Sequence, residues 1–334
     1  DSVSGDVIIE VVYENHPVKG QLKIVKQGEV LDGFSKDFVY QTENLAGAVF
    51  EVTAAEDIYT ADFQKDAEGN RILEYAAGER VGTVTTDENG EAFLSNLPLG
   101  SYKIVEVTAP EGFVLNEEAQ TVTFTYKDQD TPVIEQEAVF QNDRQKVEVS
   151  VMKKDAETQA EVEGAVFGLY AKEDILAHGE VIVKADTLIS KALSDENGKA
   201  VFMNDLPFGR YYIKEEAAPD GYVSSDKVVE VTAEYQGQDI PVVELFSEYE
   251  NEPTKISVKK TDLTTGVELE GAKLTVLDKD GNIVDSWVSV KGEEHLIERL
   301  TVGETYTLRE ELAPYGYLKA EEITFTVEDT AQIQ

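Results

Sequence analysis

Short apolar runs separated by turn residues make up the chain. Segments such as VIIEVVYEN, KVEVSVMKK, TVTFTYKD and EITFTV place Val, Ile, Thr, Tyr and Phe at alternate positions, the period of a half-buried β-strand. Helical i, i+3, i+4, i+7 spacing is scarce. Acidic turns ending in glycine, at residues 87–90, 195–198 and 278–281, predict tight hairpins and lack the ligand spacing of a calcium loop. The pattern predicts an all-β protein.

One motif occurs three times, with the form Tyr-x-aliphatic-x-Glu-x-x-Ala-Pro-x-Gly-aromatic. On a strand its tyrosine, aliphatic residue and glutamate share one face, so each carboxyl group lies among apolar side chains. A buried carboxyl group needs a compensating partner. The three motifs begin at Tyr102, Tyr211 and Tyr306, and their acids are Glu106, Glu215 and Glu310.

A lysine follows the alternating positions of another strand in each repeat. Lys26, Lys153 and Lys260 share strand faces with aliphatic residues two and four positions earlier. Lys154 and Lys259 fall on the opposite faces. Parity therefore predicts that the first three lysines point into the core.

An asparagine ends a third strand in two of the repeats. Phe140-x-Asn142 and Tyr249-x-Asn251 place it 36 residues after the motif glutamate in both cases. Tyr13-x-Asn15 repeats this ending, so residues 1–16 are expected to close a preceding domain or to form an N-terminal strand.

The same spacing puts the third asparagine near position 346, beyond Gln334. The third domain is therefore expected to lack its last strand, and Lys260 and Asn15 to be crosslink candidates without a partner. Alternatively, residues 6–15 of a second molecule supply the missing strand.

Lysine, glutamate and asparagine buried together can react. Desolvation favours a neutral amine and a neutral acid. The amine attacks the carboxamide carbon, the glutamate polarises its oxygen and relays protons, and ammonia leaves. The alternative is a buried lysine–glutamate ion pair beside a hydrogen-bonded asparagine, which needs no reaction. The residues alone leave both open.

Composition limits the other functions. The 334 residues carry 67 acidic and 29 basic side chains, a net charge of −38 that would repel nucleic acid. There is no cysteine for a disulfide or thiolate, and the three histidines have no metal-ligand spacing. No membrane segment, metal site or cofactor is predicted.

In their order along the chain, these features resemble the Cna protein B-type domains of Gram-positive surface adhesins and pilins, also called SpaA-type or prealbumin-like domains. The resemblance includes Leu97-Pro98-x-Gly100 and Leu206-Pro207-x-Gly209. It implies tandem Ig-like or prealbumin-like β-sandwich modules in an elongated rod. It also implies Lys-Asn isopeptide bonds that form once, assisted by a glutamate, without enzymatic turnover. The implied triads are Lys26–Glu106–Asn142 and Lys153–Glu215–Asn251, with Lys260 and Glu310 in an incomplete third.

The resemblance divides the chain after residues 1–16 into sandwiches at 17–143, 144–252 and 253–334, with a loop insertion around residues 32–42 of the first. It implies an extracellular stalk whose parent protein is anchored to the cell wall, joined to the wall or to other pilus subunits through regions outside this sequence. The third repeat departs from the pattern at Leu300-Thr301-Val302-Gly303, and no sortase signal is found.

A second hypothesis is an adhesin module that contacts a host protein or glycan of unknown identity. Its candidate surfaces are the insertion and the loop at residues 56–80, with Tyr59, Phe63 and Tyr75. A hydrolase is disfavoured because the three glutamates lie one per repeat and cannot act as a pair.

Overall fold

The computed structural model describes residues 11–12, 14–60 and 65–334. These residues form strands and no helix, so the all-β prediction is confirmed. None of the described segments is a helix long and apolar enough to cross a membrane. The closing strand predicted for residues 1–16 falls largely outside the described part of the chain.

The first sandwich has two main sheets. One has the order β10-β1-β2, with β7 also paired to β1, and the other has the order β6-β3-β8-β9. Strands β4 and β5 form a separate hairpin. The strands are β1 (Lys19–Phe34), β2 (Phe38–Asn44), β3 (Val49–Ala54), β4 (Ile58–Tyr59), β5 (Leu73–Tyr75), β6 (Arg80–Thr85), β7 (Glu91–Leu97), β8 (Gly100–Thr108), β9 (Gln120–Phe124) and β10 (Val133–Asn142).

The second sandwich repeats this arrangement, with sheets β16-β11-β19 and β15-β12-β17-β18 and a hairpin of β13 and β14. Its strands are β11 (Lys146–Asp155), β12 (Val166–Ala171), β13 (Ile175–Ala177), β14 (Glu180–Val183), β15 (Leu188–Leu193), β16 (Lys199–Phe202), β17 (Gly209–Ala217), β18 (Val228–Ala233) and β19 (Val242–Asn251).

The third sandwich has the sheets β20-β23 and β22-β21-β24-β25. Its strands are β20 (Lys255–Val258), β21 (Lys273–Leu277), β22 (Ile283–Val288), β23 (His295–Glu298), β24 (Thr305–Leu312) and β25 (Ile323–Thr326).

Packing divides the chain into two compact units. Among the described residues, one unit contains Tyr40–Gln145 and Tyr235–Pro241 together with the residues up to Asp32, and the other contains Gly33–Val39, Lys146–Glu234 and Val242–Gln334. The second and third sandwiches therefore belong to one unit.

The first and last strands of the first two sandwiches run side by side and parallel. Lys26 lies opposite Phe140 in the β1–β10 ladder, and Lys153 lies opposite Tyr249 in the β11–β19 ladder. Because side chains alternate along a strand, the asparagine two residues after each aromatic shares the lysine's face. The parallel register thus brings lysine and asparagine together across about 100 residues of sequence.

The first residue of the repeated motif anchors each core. Tyr102 and Tyr211 are fully buried, and their hydroxyl groups donate to the carbonyl oxygens of Pro98 and Pro207 at 2.7 Å. A buried hydroxyl group needs such a partner, so the motif tyrosine and the Leu-Pro-x-Gly segment depend on each other.

Two sequence expectations need correction. The insertion at residues 32–42 is largely the β1–β2 hairpin rather than a loop, because β2 pairs with β1. The turns at 87–90 and 195–198 pass the chain between sheets, since β6 pairs with β3 whereas β7 pairs with β1. The turn at 278–281 does join a paired hairpin, β21 and β22.

Candidate functional site

The three residues predicted for the first site meet between the sheets of the first sandwich. Lys26 lies on β1, Asn142 ends β10, and Glu106 lies on β8 of the opposite sheet. Lys26 Nζ lies 3.1 Å from Glu106 Oε1 and donates a hydrogen bond to Asn142 Oδ1. Their exposed fractions are 0%, 1% and 5%. An amine, a carboxyl group and a carboxamide are therefore in contact away from water.

Aromatic side chains accompany this site. Phe140 lies opposite Lys26 on the parallel ladder, and Phe50 lies opposite Glu106 on the other sheet. The centroids of the two phenyl rings are 4.7 Å apart. Burial lowers the pKa of Lys26, although the nearby Glu106 carboxylate acts in the opposite direction.

The second site has the same residues in a different hydrogen-bonding pattern. Asn251 Nδ2 donates to Glu215 Oε1 and Oε2 at 2.9 and 2.7 Å, and to Val223 O at 2.8 Å. Lys153 Nζ donates to Lys154 O at 3.0 Å. Lys153 and Asn251 are buried, at 0% and 3% exposed. The second sandwich therefore brings the acid and the carboxamide into contact, whereas the buried amine is hydrogen-bonded to the backbone.

Desolvation pushes the second pair toward neutral forms. Burial lowers the pKa of Lys153 to about 8, against the opposing effect of the Glu215 carboxylate. Burial also raises the pKa of Glu215, although the hydrogen bond from Asn251 and the charge of Lys153 oppose that shift. A neutral amine and a neutral acid are the forms that nucleophilic attack on a carboxamide requires.

The two carboxamides are turned in opposite directions. Asn142 presents its oxygen to the lysine, and its Nδ2 has no hydrogen-bond partner among the described residues. Asn251 presents its nitrogen to Glu215, and Oδ1 is the atom without a partner in the described part of the chain. The first orientation directs the carbonyl group toward the nucleophile, and the second directs the leaving nitrogen toward the acid.

The third sandwich holds the lysine and the acid. Lys260 Nζ lies 3.1 Å from Glu310 Oε1, with side-chain exposures of 18% and 2%. Gln334 pairs by its backbone with β20, donating to Lys255 O at 2.9 Å and accepting from Ser257 N at 2.8 Å.

This pairing sets Gln334 opposite Ile256, as Leu245 is set opposite Val149 in the second sandwich. The asparagine expected near position 346 falls outside this sequence, so that expectation stays a prediction.

Asn15 is exposed and belongs to none of these sites. Its neighbour Tyr13 and residues 6–10 lie outside the described residues, so the second-molecule hypothesis stays a prediction. Lys154 and Lys259 point away from the cores, with side chains 23% and 50% exposed, as parity predicted.

A backbone contact that the sequence reasoning missed is common to the three acids. The Oε2 atom of each glutamate accepts a hydrogen bond from the backbone N–H ten residues further along the chain. The Ala-Pro-x-Gly-aromatic segment, which lies between each glutamate and its donor in all three repeats, could have indicated this contact. A constant segment there gives the chain the same path back to the glutamate. The donors are Asn116 N to Glu106 at 3.2 Å, Ser225 N to Glu215 at 3.1 Å and Ala320 N to Glu310 at 2.6 Å.

The described aromatic residues of the 56–80 loop do not form a shared exposed patch. Tyr75 packs against the first core, and the guanidinium carbon of Arg71 lies 4.4 Å from the ring centroid of Tyr59. Phe63 falls outside the described residues. Groups of three or more potential metal ligands are likewise absent from the part of the chain that the structure describes.

The sequence profile named SpaA, a prealbumin-like fold domain, matches residues 34–138, 147–244 and 254–334. The chain belongs to this family. Each of the three sandwiches contains one of the lysines and one of the glutamates described above, and the first two also contain the asparagine. The comparison with curated proteins gave no match.

Several solved structures are similar to this chain, and one of them has a TM-score above 0.5. The Bacillus anthracis TIE protein is 25% identical with a TM-score of 0.58, over 95% of this chain and 50% of that one. The chain thus spans about half the length of that protein. The major pilin subunit BcpA of Bacillus cereus is 15% identical, with a TM-score of 0.45, over 93% of this chain and 96% of that one. The shaft pilin SpaA of Lactobacillus rhamnosus GG is 17% identical, with a TM-score of 0.26, over 71% and 98%.

Proposed function

We propose that this chain is part of the structural stalk of a Gram-positive cell-surface adhesin or pilin. In this proposal, intramolecular isopeptide bonds join Lys26 to Asn142 and Lys153 to Asn251. Glu106 and Glu215 assist the two reactions, and Lys260 with Glu310 forms the corresponding half of a third site. The parent protein is extracellular and is joined to the cell wall or to other subunits through regions outside this sequence.

The main support for the proposal is that buried Lys26 contacts both the Glu106 carboxyl group and the Asn142 carboxamide. A buried ion pair needs only a lysine and a glutamate, and it contributes little net stability to the fold. The asparagine in each complete site adds an electrophilic carbon. In the first site the amine contacts that carboxamide directly. In the second site the acid holds the nitrogen that would leave.

The reaction balances within the three side chains. The neutral lysine nitrogen forms a bond to the asparagine Cγ, and the bond from Cγ to Nδ2 breaks. A proton lost by the attacking amine passes through the glutamate to Nδ2, which departs as ammonia. The glutamate ends in the protonation state in which it began, and each domain reacts once.

The crosslink would join the strands that carry the load in a stalk. β1 and β10 are the first and last strands of the first sandwich, and β11 and β19 have the same roles in the second. A bond between parallel neighbours at these positions prevents the enclosed residues from extending under tension. It also restricts the unfolded chain as a disulfide does, and it resists reductants.

Peptide mapping tests the proposed bonds. After protease digestion, the peptide with Lys26 is expected to be joined to the peptide with Asn142, and Lys153 to Asn251. Asn142→Ala and Asn251→Ala should each abolish one joined pair and leave the other. Separate linear peptides from the folded wild-type protein would refute the proposal and leave only buried ion pairs.

A further inference from the structure

A buried acid lies next to the second site. Asp155 ends β11, two residues after Lys153, and is 1% exposed. Its Oδ1 accepts backbone hydrogen bonds from Glu157 at 2.8 Å and Thr158 at 2.9 Å. Its Oδ2 accepts from Tyr222 Oη at 2.9 Å and from Arg299 Nη2 at 2.7 Å. Both oxygens of the Asp155 carboxylate therefore accept two hydrogen bonds each.

Arg299 comes from the third sandwich, which packs with the second in one unit. Its backbone is fixed by a 3.0 Å hydrogen bond from its own N–H to Thr254 O. A Cβ atom added at Gly221 would lie only 2.6 Å from Arg299 O, so the two backbones touch. The guanidinium thus reaches Asp155 from a fixed position.

Tyr222 connects this ion pair to the reacting amine. It is the last residue of the motif that contains Glu215, and the centroid of its ring lies 5.5 Å from Lys153 Nζ. Its hydroxyl group donates to Asp155 and lies 3.4 Å from Arg299 Nε. A chain of contacts therefore runs from Arg299 through Asp155 and Tyr222 to the Lys153 amine.

The charges around Lys153 explain why a cation is useful there. Asp155 on its own strand, Glu215 on the opposite sheet and Glu250 on β19 each favour the ammonium form, which cannot attack. The Arg299 guanidinium offsets the Asp155 carboxylate, whose pKa lies well below its usual range partly because of this contact. Burial then lowers the pKa of Lys153 with less opposition.

We propose that Arg299 is a positioning residue for the crosslink of the neighbouring sandwich, holding Asp155 and Tyr222 so that the Lys153 amine is placed and its surrounding negative charge is offset. This inference rests on the proposed crosslinking function. It means that the second domain reacts efficiently only when the third domain has folded against it.

The first sandwich provides an internal control. Gly28 stands two residues after Lys26, where Asp155 follows Lys153, and Phe113 stands where the second motif has Tyr222. The Phe113 ring packs over Gly28, since an added Cβ atom there would lie 2.4 Å from the ring. The first site thus has a phenyl ring on glycine where the second has a tyrosine bound to an acid.

The test measures the rate of each crosslink in the full chain. Protein isolated unfolded in urea directly after synthesis is refolded in buffers from about pH 5 to about pH 9 and quenched in acid. Peptide mapping then gives the joined fraction at both sites against time. Arg299→Gln is expected to slow the Lys153–Asn251 bond by about tenfold at neutral pH, the effect of about one pKa unit. Its rate profile should also move to higher pH, while the Lys26–Asn142 bond is unchanged.

Two further variants separate this role from simple structural support. Asp155→Asn keeps the side-chain shape but removes the charge, so the profile of the second bond should move to lower pH. Arg299→Lys should restore much of the wild-type rate. A purely structural contact predicts the same slowing for loss of either partner, so equal slowing in Arg299→Gln and Asp155→Asn would overturn the inference.

The remaining outcomes distinguish the inference from the function on which it rests. If the wild-type second bond forms and Arg299→Gln leaves its rate and pH profile unchanged, only the inference is wrong. Equal slowing of both bonds in Arg299→Gln would indicate a general folding defect and would also reject it. If wild type forms neither bond, the proposed function fails and the inference with it.

Discussion

Replacing Lys153 with methionine separates a crosslinked core from an unreacted buried amine by the size of the stability change. Methionine has nearly the length of lysine and suits a site that is 0% exposed. Without a crosslink, the change removes the hydrogen bond from Lys153 Nζ to Lys154 O, a loss of about 1 kcal/mol. With a crosslink, the same change removes a covalent constraint.

The expected magnitude follows from the enclosed loop. Lys153 and Asn251 are about 100 residues apart, and closing such a loop stabilises a domain by about 5 kcal/mol in the chain-entropy model. For a domain of this size, about 1 kcal/mol corresponds to a melting-temperature change of roughly 4–8 °C. Lys153→Met should therefore lower the melting temperature of the second sandwich by roughly 20 °C or more.

Calorimetry of the full chain measures this effect, with transitions assigned to individual domains because the chain is not two-state. Lys154→Met is the matched control, since Lys154 is on the same strand with its side chain turned outward. It should shift the transition by no more than a few degrees. A Lys153→Met shift as small as that of the control, or an increase in melting temperature, would refute the crosslink reasoning.

Three other changes test separate parts of the account. Glu106→Gln keeps the side-chain shape but cannot relay protons, so peptide mapping should find the first crosslink absent and the second intact; an unaffected first crosslink would remove Glu106 from the reaction. Asp155→Asn should cost about 2 kcal/mol at neutral pH through lost charged hydrogen bonds. The folded-state pKa of Asp155 is depressed, so this stabilisation is present above its ordinary pKa of 3.8 and is lost as the pH falls below it. Denaturant unfolding should therefore show the difference from wild type shrinking in acid, and a constant difference would contradict the assignment. Gly221→Ala and Gly316→Ala both place alanine at positive φ, +85° and +89°, but only the first would contact Arg299. Thermal unfolding should show the larger loss for Gly221→Ala by about 1–3 kcal/mol, and equal losses would mean that the close backbone approach is unimportant.

Strand parity explains why much of the site could be predicted. The alternation Leu22-x-Ile24-x-Lys26 places the lysine inward whatever the details of the fold, because a strand has only two faces. The equal spacing from Glu106 to Asn142 and from Glu215 to Asn251 indicated that the last strand has the same position in both domains. The face on which a side chain lies and the spacing between repeated residues can both be read from a single sequence, so these features could be predicted.

Contacts between elements were harder to predict. Nothing local to Arg299 indicates that it reaches Asp155, because the pair depends on how two sandwiches pack. The turn at residues 87–90 has the residues of a hairpin, yet its flanking strands join different sheets.

Intact mass spectrometry of the purified, unfolded full chain tests the central claim most directly. Each Lys-Asn bond removes one ammonia from the mass calculated for the sequence. The two complete sites predict the loss of two ammonias in wild type, of one in Asn142→Ala or Asn251→Ala, and of none in the double variant. A wild-type mass equal to that of the unmodified sequence would contradict the account and would mean that the buried lysines have not reacted.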